Sequence, residues 1–351
     1  MTPDASPTPH SPAPHGKPLP IQMLDRITNY WISCGVHVAA RLSIADHLAK
    51  GARTTADLAK VSGAHAPTLF RLLRMLASQG IFRETVDGRF ENTPFSETLR
   101  ADVPASMKPF AIMIVDGPSF LAWNDLLETV KTGEEAFQRV HGMGGFEYLA
   151  AHPDKAREFG EAMTSISGME NPAIAEAYDF KGIKKIVDLG GGHGSLLAAI
   201  LSRNPELRGV VYDRAEVVEN AKKDVHVRAK GVEGRIDLVA GNFFESVPAG
   251  ADAYVMKYIL HDWNDAQSKQ ILENCRKAMA KGGRVLVLDN VIPKGNDPYW
   301  GKMLDMNMLV LTPGRERTEA EFRDLFASAG LKLARVVPTA CPLSVVEGFA
   351  A

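Results

Sequence analysis

The run Asp188-Leu189-Gly190-Gly191-Gly192-His193-Gly194 constrains this chain more than any other segment. It follows the apolar stretch Ile183 to Val187 and precedes Ser195 to Ile200, which has helical character. The order reads as strand, glycine turn, helix. Glycine reaches backbone conformations closed to other residues and lets a ligand lie against the chain, while the helix N-terminus offers unpaired amides. A nucleotide-like cofactor belongs there, although glycines alone also suit a plain structural turn. Ser195 stands where a dinucleotide fingerprint carries its third glycine, and no Lys-Ser/Thr pair follows to hold phosphates, so NAD and ATP are disfavoured. The stretch Gly209 to Tyr212 reads as a second strand ending in Asp213, about where an acid meets the ribose hydroxyls in doubly wound folds. An adenosine ribose fits. Further on, Ala253 to Asp265 reads as a buried strand that delivers His261 at or just past its carboxyl end, the edge at which open α/β sheets bind ligands.

With 351 residues, 45% hydrophobic and 23% charged, the chain can bury a sizeable core and exceeds the usual size of one domain. Two domains are expected. A net charge of −2 gives no global attraction to phosphate backbones or anionic membranes. Cys34, Cys275 and Cys341 are odd in number and lack CxxC spacing, so they encode neither a disulfide framework nor a zinc site and read as buried thiols. No apolar run approaches the roughly twenty residues of a membrane span, and the N-terminus lacks a signal-peptide layout. The expectation is a cytoplasmic protein.

Seven of the 21 prolines fall within the first twenty residues, which read as a disordered tail. From Ile21 to about Lys50, apolar residues recur at helical spacing through Leu24, Ile27, Tyr30, Trp31, Val38, Leu42 and Leu48. Thr54 to Ala59 and Ala66 to Gln79 then read as two helices, and Ile81–Glu84 with Arg89–Glu91 as a hairpin around Asp87-Gly88. That is a winged-helix pattern. In a repressor, Arg71 or Arg74 of the second helix would meet bases or phosphates. Against DNA binding stand the near-neutral charge, the acids Glu84, Asp87 and Glu91 near the wing, and the cofactor segment downstream.

The pattern Asp-x-Gly-x-Gly-x-Gly followed by Asp213 resembles the S-adenosylmethionine site of class I methyltransferases. From Gly182 to Phe349 the sequence is similar to the small-molecule O-methyltransferases of the plant caffeate and bacterial polyketide or phenazine type. The similarity includes Gly241-Asn242-Phe243-Phe244, Met256-Lys257 before Leu260-His261-Asp262-Trp263, and Gly314-Arg315-Glu316-Arg317-Thr318-Glu319 before Phe322. It implies an α/β fold, a Rossmann-like seven-stranded catalytic domain over residues 166–351. Before it would stand a helical and winged-helix domain over residues 21–165 that builds a homodimer interface and part of the substrate wall. S-adenosylmethionine is the implied cofactor and a hydroxyl of an aromatic secondary metabolite the acceptor, with no nucleic acid, membrane or metal involved. Some relatives keep the cofactor and decarboxylate, hydroxylate or rearrange their substrates, which is the alternative within the fold.

The resemblance also distributes roles. His261 is the general base: a neutral imidazole titrates near physiological pH and accepts a phenolic proton, whose ordinary pKa is about 10. Asp289 and Glu316 flank and orient it, Asp289 being one methylene shorter than the glutamate of plant members. Gly190 and Gly192 lie under the methionine portion and ribose, Asp213 on the ribose hydroxyls, and Asn242 with Phe243 around adenine. Asn242 replaces a common aspartate, and its amide still accepts a hydrogen bond. Lys257 reaches the carboxylate end of the cofactor or a nearby carbonyl. Asp262, Met303, Met306 and Asn307 are placed on the acceptor side, with Met163, Met169 and Phe120 as further candidates.

Overall fold

The computed structural model describes residues 16–222 and 231–351. Residues 1–15 of the expected tail lie outside them, and Leu19 and Pro20 already form the first turn of helix α1. The chain divides into two compact units, one up to Glu97 and one from Thr98 onward.

The first unit contains α1 (Leu19–Arg41), α2 (Ile44–His47), α3 (Thr55–Ser62), α4 (Ala66–Ser78), the antiparallel hairpin β1 (Phe82–Glu84) and β2 (Phe90–Asn92), and α5 (Pro94–Glu97). Thr54 caps α3 by accepting the Asp57 amide, and Gly63 ends it in the left-handed region at φ 72°. Leu58, Leu69, Leu73, Leu76, Phe82 and Phe90 form the core. Helix α1 touches α4 at Gly35, where a Cβ would stand 2.5 Å from Met75 Cε. Leu24, Ile27, Tyr30 and Trp31 of α1 are each more than half exposed. They belong to the residues whose helical spacing predicts this helix, and among the described residues of their own unit none buries them.

The division falls at residue 97/98, not near 165. The reason is α11 (Pro153–Ala177), a single helix that runs through residue 165 and packs on both α6 (Lys108–Met113) and α12 (Ser195–Arg203). Between α6 and α11 come α7 (Gly117–Asn124), α8 (Leu126–Thr132), α9 (Ala136–His141) and α10 (Gly145–Ala151). The sheet has seven strands in the order β5-β4-β3-β6-β7-β9-β8. Strands β3 (Lys185–Leu189), β4 (Arg208–Asp213), β5 (Ile236–Ala240), β6 (Ala253–Lys257) and β7 (Arg284–Asp289) are parallel, and β9 (Ser344–Ala350) pairs antiparallel with β7 and β8 (Leu331–Pro338).

Helix α13 (Ala215–Ala221) follows β4, and α14 (Asp265–Ala278), α15 (Trp300–Leu311) and α16 (Glu319–Ser328) complete the described helices. Strand alternation sends Ile186, Leu286 and Leu288 to one face with Leu196 and Ile200 of α12. Val187, Val285 and Val287 go to the other, with Leu272 of α14 and Phe322 and Phe326 of α16. Cys275 is buried, whereas Cys34 and Cys341 are only half-buried, a correction to their reading as buried thiols.

Gly209 of β4 lets α12 approach so closely that a Cβ would lie 2.4 Å from Leu197 Cδ2 and 2.7 Å from its Cγ. Leu197 is fully buried and has no free space to yield. Gly209→Ala should therefore lower stability by about 1–3 kcal/mol, the usual cost of overpacking a core. Urea unfolding with an unchanged slope is the check, and an undiminished midpoint would contradict this packing.

Candidate active site

The five parallel strands end on one edge, and the strand order reverses between β3 and β6, which opens a crevice there. The turn after β3 needs glycine. Gly190, Gly192 and Gly194 have φ of 64°, 56° and 75°. A Cβ at Gly190 would meet Ile259 Cδ1 at 2.3 Å, whereas Gly192 faces open space. Asp213, at the end of β4, accepts the Gly192 amide at 2.9 Å and the Arg214 amide at 2.7 Å, so it braces the turn. Asp188 is buried with one carboxyl oxygen unpartnered. Burial pushes its carboxyl up to about 7, with Lys257 opposing and Asp213 adding.

Past β5, Asn242 is exposed and holds its own turn, accepting the Phe244 amide at 3.0 Å and donating to Glu245 at 3.0 Å. Phe243 beside it is half-buried, edge-on to Phe244 and Trp263. The Lys257 amine is engaged by α11. It donates to Ser167 Oγ at 2.6 Å and Asn171 Oδ1 at 3.0 Å, and pairs with Glu170 at 3.3 Å. A buried ammonium needs such partners, and burial draws its pKa down.

After β6 the chain turns at Tyr258 and enters a 3₁₀ turn, Leu260–Asp262, that carries the buried His261. Glu316 Oε1 lies 2.7 Å from His261 Nδ1, and Asp262 Oδ1 lies 3.5 Å from Nε2. The segment bearing Glu316 docks directly on the histidine turn. A Cβ on Gly314 would stand 1.8 Å from the His261 carbonyl oxygen. The fully buried Arg317 donates to the carbonyls of Leu260 at 3.0 Å and Trp263 at 3.1 Å, and pairs with Asp265 at 2.9 Å. The Glu316 amide is itself held by Asp305 of α15 at 2.9 Å.

Asp289 departs from the expected flanking role. Its Oδ1 accepts the Tyr258 amide at 3.2 Å, and its other oxygen is buried without a partner. The shorter side chain holds the backbone that leads to the base, and its influence on the imidazole is electrostatic. On the acceptor side, Met306 and Asn307 are half-buried on α15, while Met303 is exposed. Asn307 Oδ1 accepts the Trp123 indole N–H at 2.9 Å. Met163 is half-buried, and Met169 and Phe120 are exposed.

Sequence reasoning missed Tyr258, Glu170, Asn171 and Arg317. Glu170 and Asn171 carried a readable signal: they fall on the buried stripe of α11 with Ala162, Ser165 and Ile174, where a carboxylate demands a partner.

Comparison with known proteins gives a consistent picture. A family profile described as the O-methyltransferase domain matches residues 123–332, and one described as the O-methyltransferase dimerisation domain matches residues 24–102. A phenazine O-methyltransferase of Lysobacter antibioticus is 44% identical over 330 residues, covering 94% of this chain and 96% of that one. The crystal structure of LaPhzM superposes with a TM-score of 0.91 at 44% identity, covering 95% of this chain and 100% of the other. An O-methyltransferase from neocarzinostatin biosynthesis, solved with S-adenosylmethionine and 2-hydroxy-5-methyl naphthoic acid, gives a TM-score of 0.81 at 34% identity, covering 97% of this chain and 100% of the other.

The charge cluster around His261 sets a pH response. Burial pulls the imidazole down, but Asp262, Glu316 and Asp289 outweigh it and push His261 up to about 10. Burial, with Glu316 adding, raises Asp262 to about 6 and Asp289 to about 7. All three groups bind protons more tightly folded than unfolded, the carboxyls from their ordinary 3.8 upward and the imidazole from 6.5 upward. Stability from this cluster therefore falls as pH rises through those intervals. The thermal midpoint should decline from about pH 5 to pH 9, and Asp289→Asn should flatten the decline below about pH 7. A variant whose slope matches the parent's would contradict the assignment to Asp289.

Proposed function

The chain belongs to the O-methyltransferase family, with S-adenosylmethionine as its cofactor, and on that premise we propose that His261 deprotonates a hydroxyl of an aromatic acceptor during methyl transfer. One observation carries this reading: a buried imidazole held through Nδ1 by a carboxylate at 2.7 Å. That bond turns Nδ1 toward Glu316 and Nε2 toward the acceptor side. Because the carboxylates hold the imidazole protonated up to about 10, Nε2 must first release its proton before the ring acts as base, and turnover should rise with pH.

The crevice fits the cofactor. Gly192 leaves open space, and Asp188 offers a buried, unpartnered carboxyl oxygen beside a turn braced by Asp213. Gly190 and Gly192 would lie under the methionine portion and ribose, Asp213 at the ribose hydroxyls, and Asn242 and Phe243 around adenine. When bound, the cofactor supplies an electrophilic methyl on a cationic sulfur. The chain's own part is to place the acceptor oxygen and take its proton. With the cofactor bound, the acceptor O–H bond would break and its proton pass to a neutral Nε2 as the oxygen–carbon bond forms and the carbon–sulfur bond breaks, the bonding pair going to sulfur to leave neutral S-adenosylhomocysteine. Asp262, beside Nε2, orients the hydroxyl. Glu316 stabilises the imidazolium, and Asp262 and Asp289, both raised toward neutrality, share the proton load of the cluster. Met306 and Asn307 wall the acceptor, a flat aromatic secondary metabolite, as the bound naphthoic acid of one relative supports.

The exposed face of α1 and the dimerisation profile support a homodimer formed through a winged-helix first unit. Ion pairs Arg83–Glu91 and Arg89–Asp87 on the hairpin leave the wing no uniform positive charge for nucleic acid. The protein operates in the cytoplasm on this reading, and no described helix is long and apolar enough to cross a membrane.

Incubation with methyl-labelled S-adenosylmethionine and a panel of phenols, hydroxyquinones and hydroxylated heteroaromatics should give labelled product with matching S-adenosylhomocysteine. His261→Ala should lower turnover by about 10² to 10⁴ with cofactor affinity nearly intact. Conversion without label would favour the non-methylating alternative, and undiminished turnover would remove His261 from the mechanism. Sedimentation should give twice the chain mass, and Ile27→Glu with Trp31→Glu should shift it toward monomer, since charges on a buried apolar interface oppose association. A monomeric parent would discard the dimer.

A further inference from the structure

Tyr258 occupies a conformation that a tyrosine rarely adopts. Its φ is 56°, in the left-handed region where glycine or asparagine sits with little strain. Such an outlier, held by its surroundings, points to a use for the side chain. Its amide is held by Asp289 at 3.2 Å, and its ring lies 5.0 Å from the His261 ring at 31°. Its hydroxyl donates to Glu170 Oε1 at 2.6 Å. Glu170 is buried on α11, and its second oxygen pairs with Lys257. Lys257 also donates to Asn171, which donates to Ser195, the first residue of α12 beyond the glycine turn, at 3.1 Å. One unbroken series of contacts thus runs from the glycine turn to the face of the imidazole.

The bond to Glu316 fixes His261 at one nitrogen, and Asp262 faces the other at 3.5 Å; both act in the ring plane, and neither by itself sets the tilt of the ring. A contact on the ring face supplies the missing restraint. We propose that Tyr258 is a positioning residue for His261, setting the tilt of the imidazole and tying it through Glu170 and Lys257 to the glycine turn. The proposal rests on the reading of His261 as the base.

The test is a kinetic cycle on the full chain with labelled cofactor and the best acceptor of the panel, using Tyr258→Asn, Tyr258→Phe, Glu170→Gln and His261→Ala. Tyr258→Asn keeps a residue suited to the backbone and removes the ring, so kcat should fall about 10- to 100-fold with both KM values nearly unchanged. Tyr258→Phe breaks only the hydroxyl–carboxylate bond, whereas Glu170→Gln also removes the charge facing Lys257; Tyr258→Phe should cost less than Tyr258→Asn and add little in the Glu170→Gln background. In the His261→Ala background, Tyr258→Phe should have no effect. A Tyr258→Phe enzyme with parental kcat beside a Tyr258→Asn enzyme that folds and turns over normally overturns the proposal while leaving the base in place. An equal loss from Tyr258→Phe in both backgrounds also overturns it, because Tyr258 would then act independently of His261. Parental turnover in His261→Ala itself removes the base reading, and the positioning role with it. Should Tyr258→Asn fail to fold, Tyr258→Leu, which also removes the aromatic ring, takes its place with the same expected loss of kcat and the same overturning result.

Discussion

The reacting centre depends on one docking contact, Gly314–Arg317 against Leu260–Trp263. A guanidinium without solvent is tolerable only when its charge and its donors are met, and Arg317 meets them with one carboxylate, three carbonyls and the Ser268 hydroxyl. Two of the carbonyls, those of Leu260 and Trp263, bracket His261 in sequence, so the turn that carries His261 is tied to the segment that carries Glu316. Separating the two would strand a buried cation, a cost far above that of an ordinary surface ion pair. Gly314 permits the approach because any side chain there would collide with the backbone of His261.

Both docked segments lead directly into helices with reciprocal caps. Asn264 and Gln267 cap α14, and Thr318 and Glu321 cap α16. Those helices pack their apolar faces on the same side of the sheet through Leu272, Phe322 and Phe326. The helix starts are thereby anchored in one core, and the segments preceding them inherit their positions from it. The parallel strands do the corresponding work for the crevice, because all five deliver their following residues to the same edge.

Much of this was legible in the sequence. Apolar strand runs, glycine spacing and the position of His261 after a buried strand are local patterns, and the structure realises them in strands β3, β4 and β6 and in the glycine turn. Partnerships were harder to read. Lys257 and Tyr258 find Glu170 nearly ninety positions earlier in the chain, and periodicity reports which face a residue occupies without saying which charge waits there. The unit boundary was misplaced for a related reason: α11 reads as one more helix of the first domain until its buried stripe is seen to pack on α12. Asp289 shows the limit of reasoning by analogy, since the loss of one methylene leaves its carboxyl on the backbone of Tyr258 and not on the imidazole.

The segment from Tyr258 to Trp263 lies between two hydrophobic layers. Tyr258 packs with the layer that contains α11 and α12 residues, while Leu260 and Trp263 pack with the layer built on α14 and α16. His261 therefore has Tyr258 against its ring on one side, with Glu316 on its Nδ1 and Arg317 on the carbonyls of its turn. A left-handed residue costs on the order of 1–2 kcal/mol, an amount that a few hydrogen bonds of ordinary strength offset. Reversing the chain within one residue at that cost lets adjacent side chains reach opposite layers.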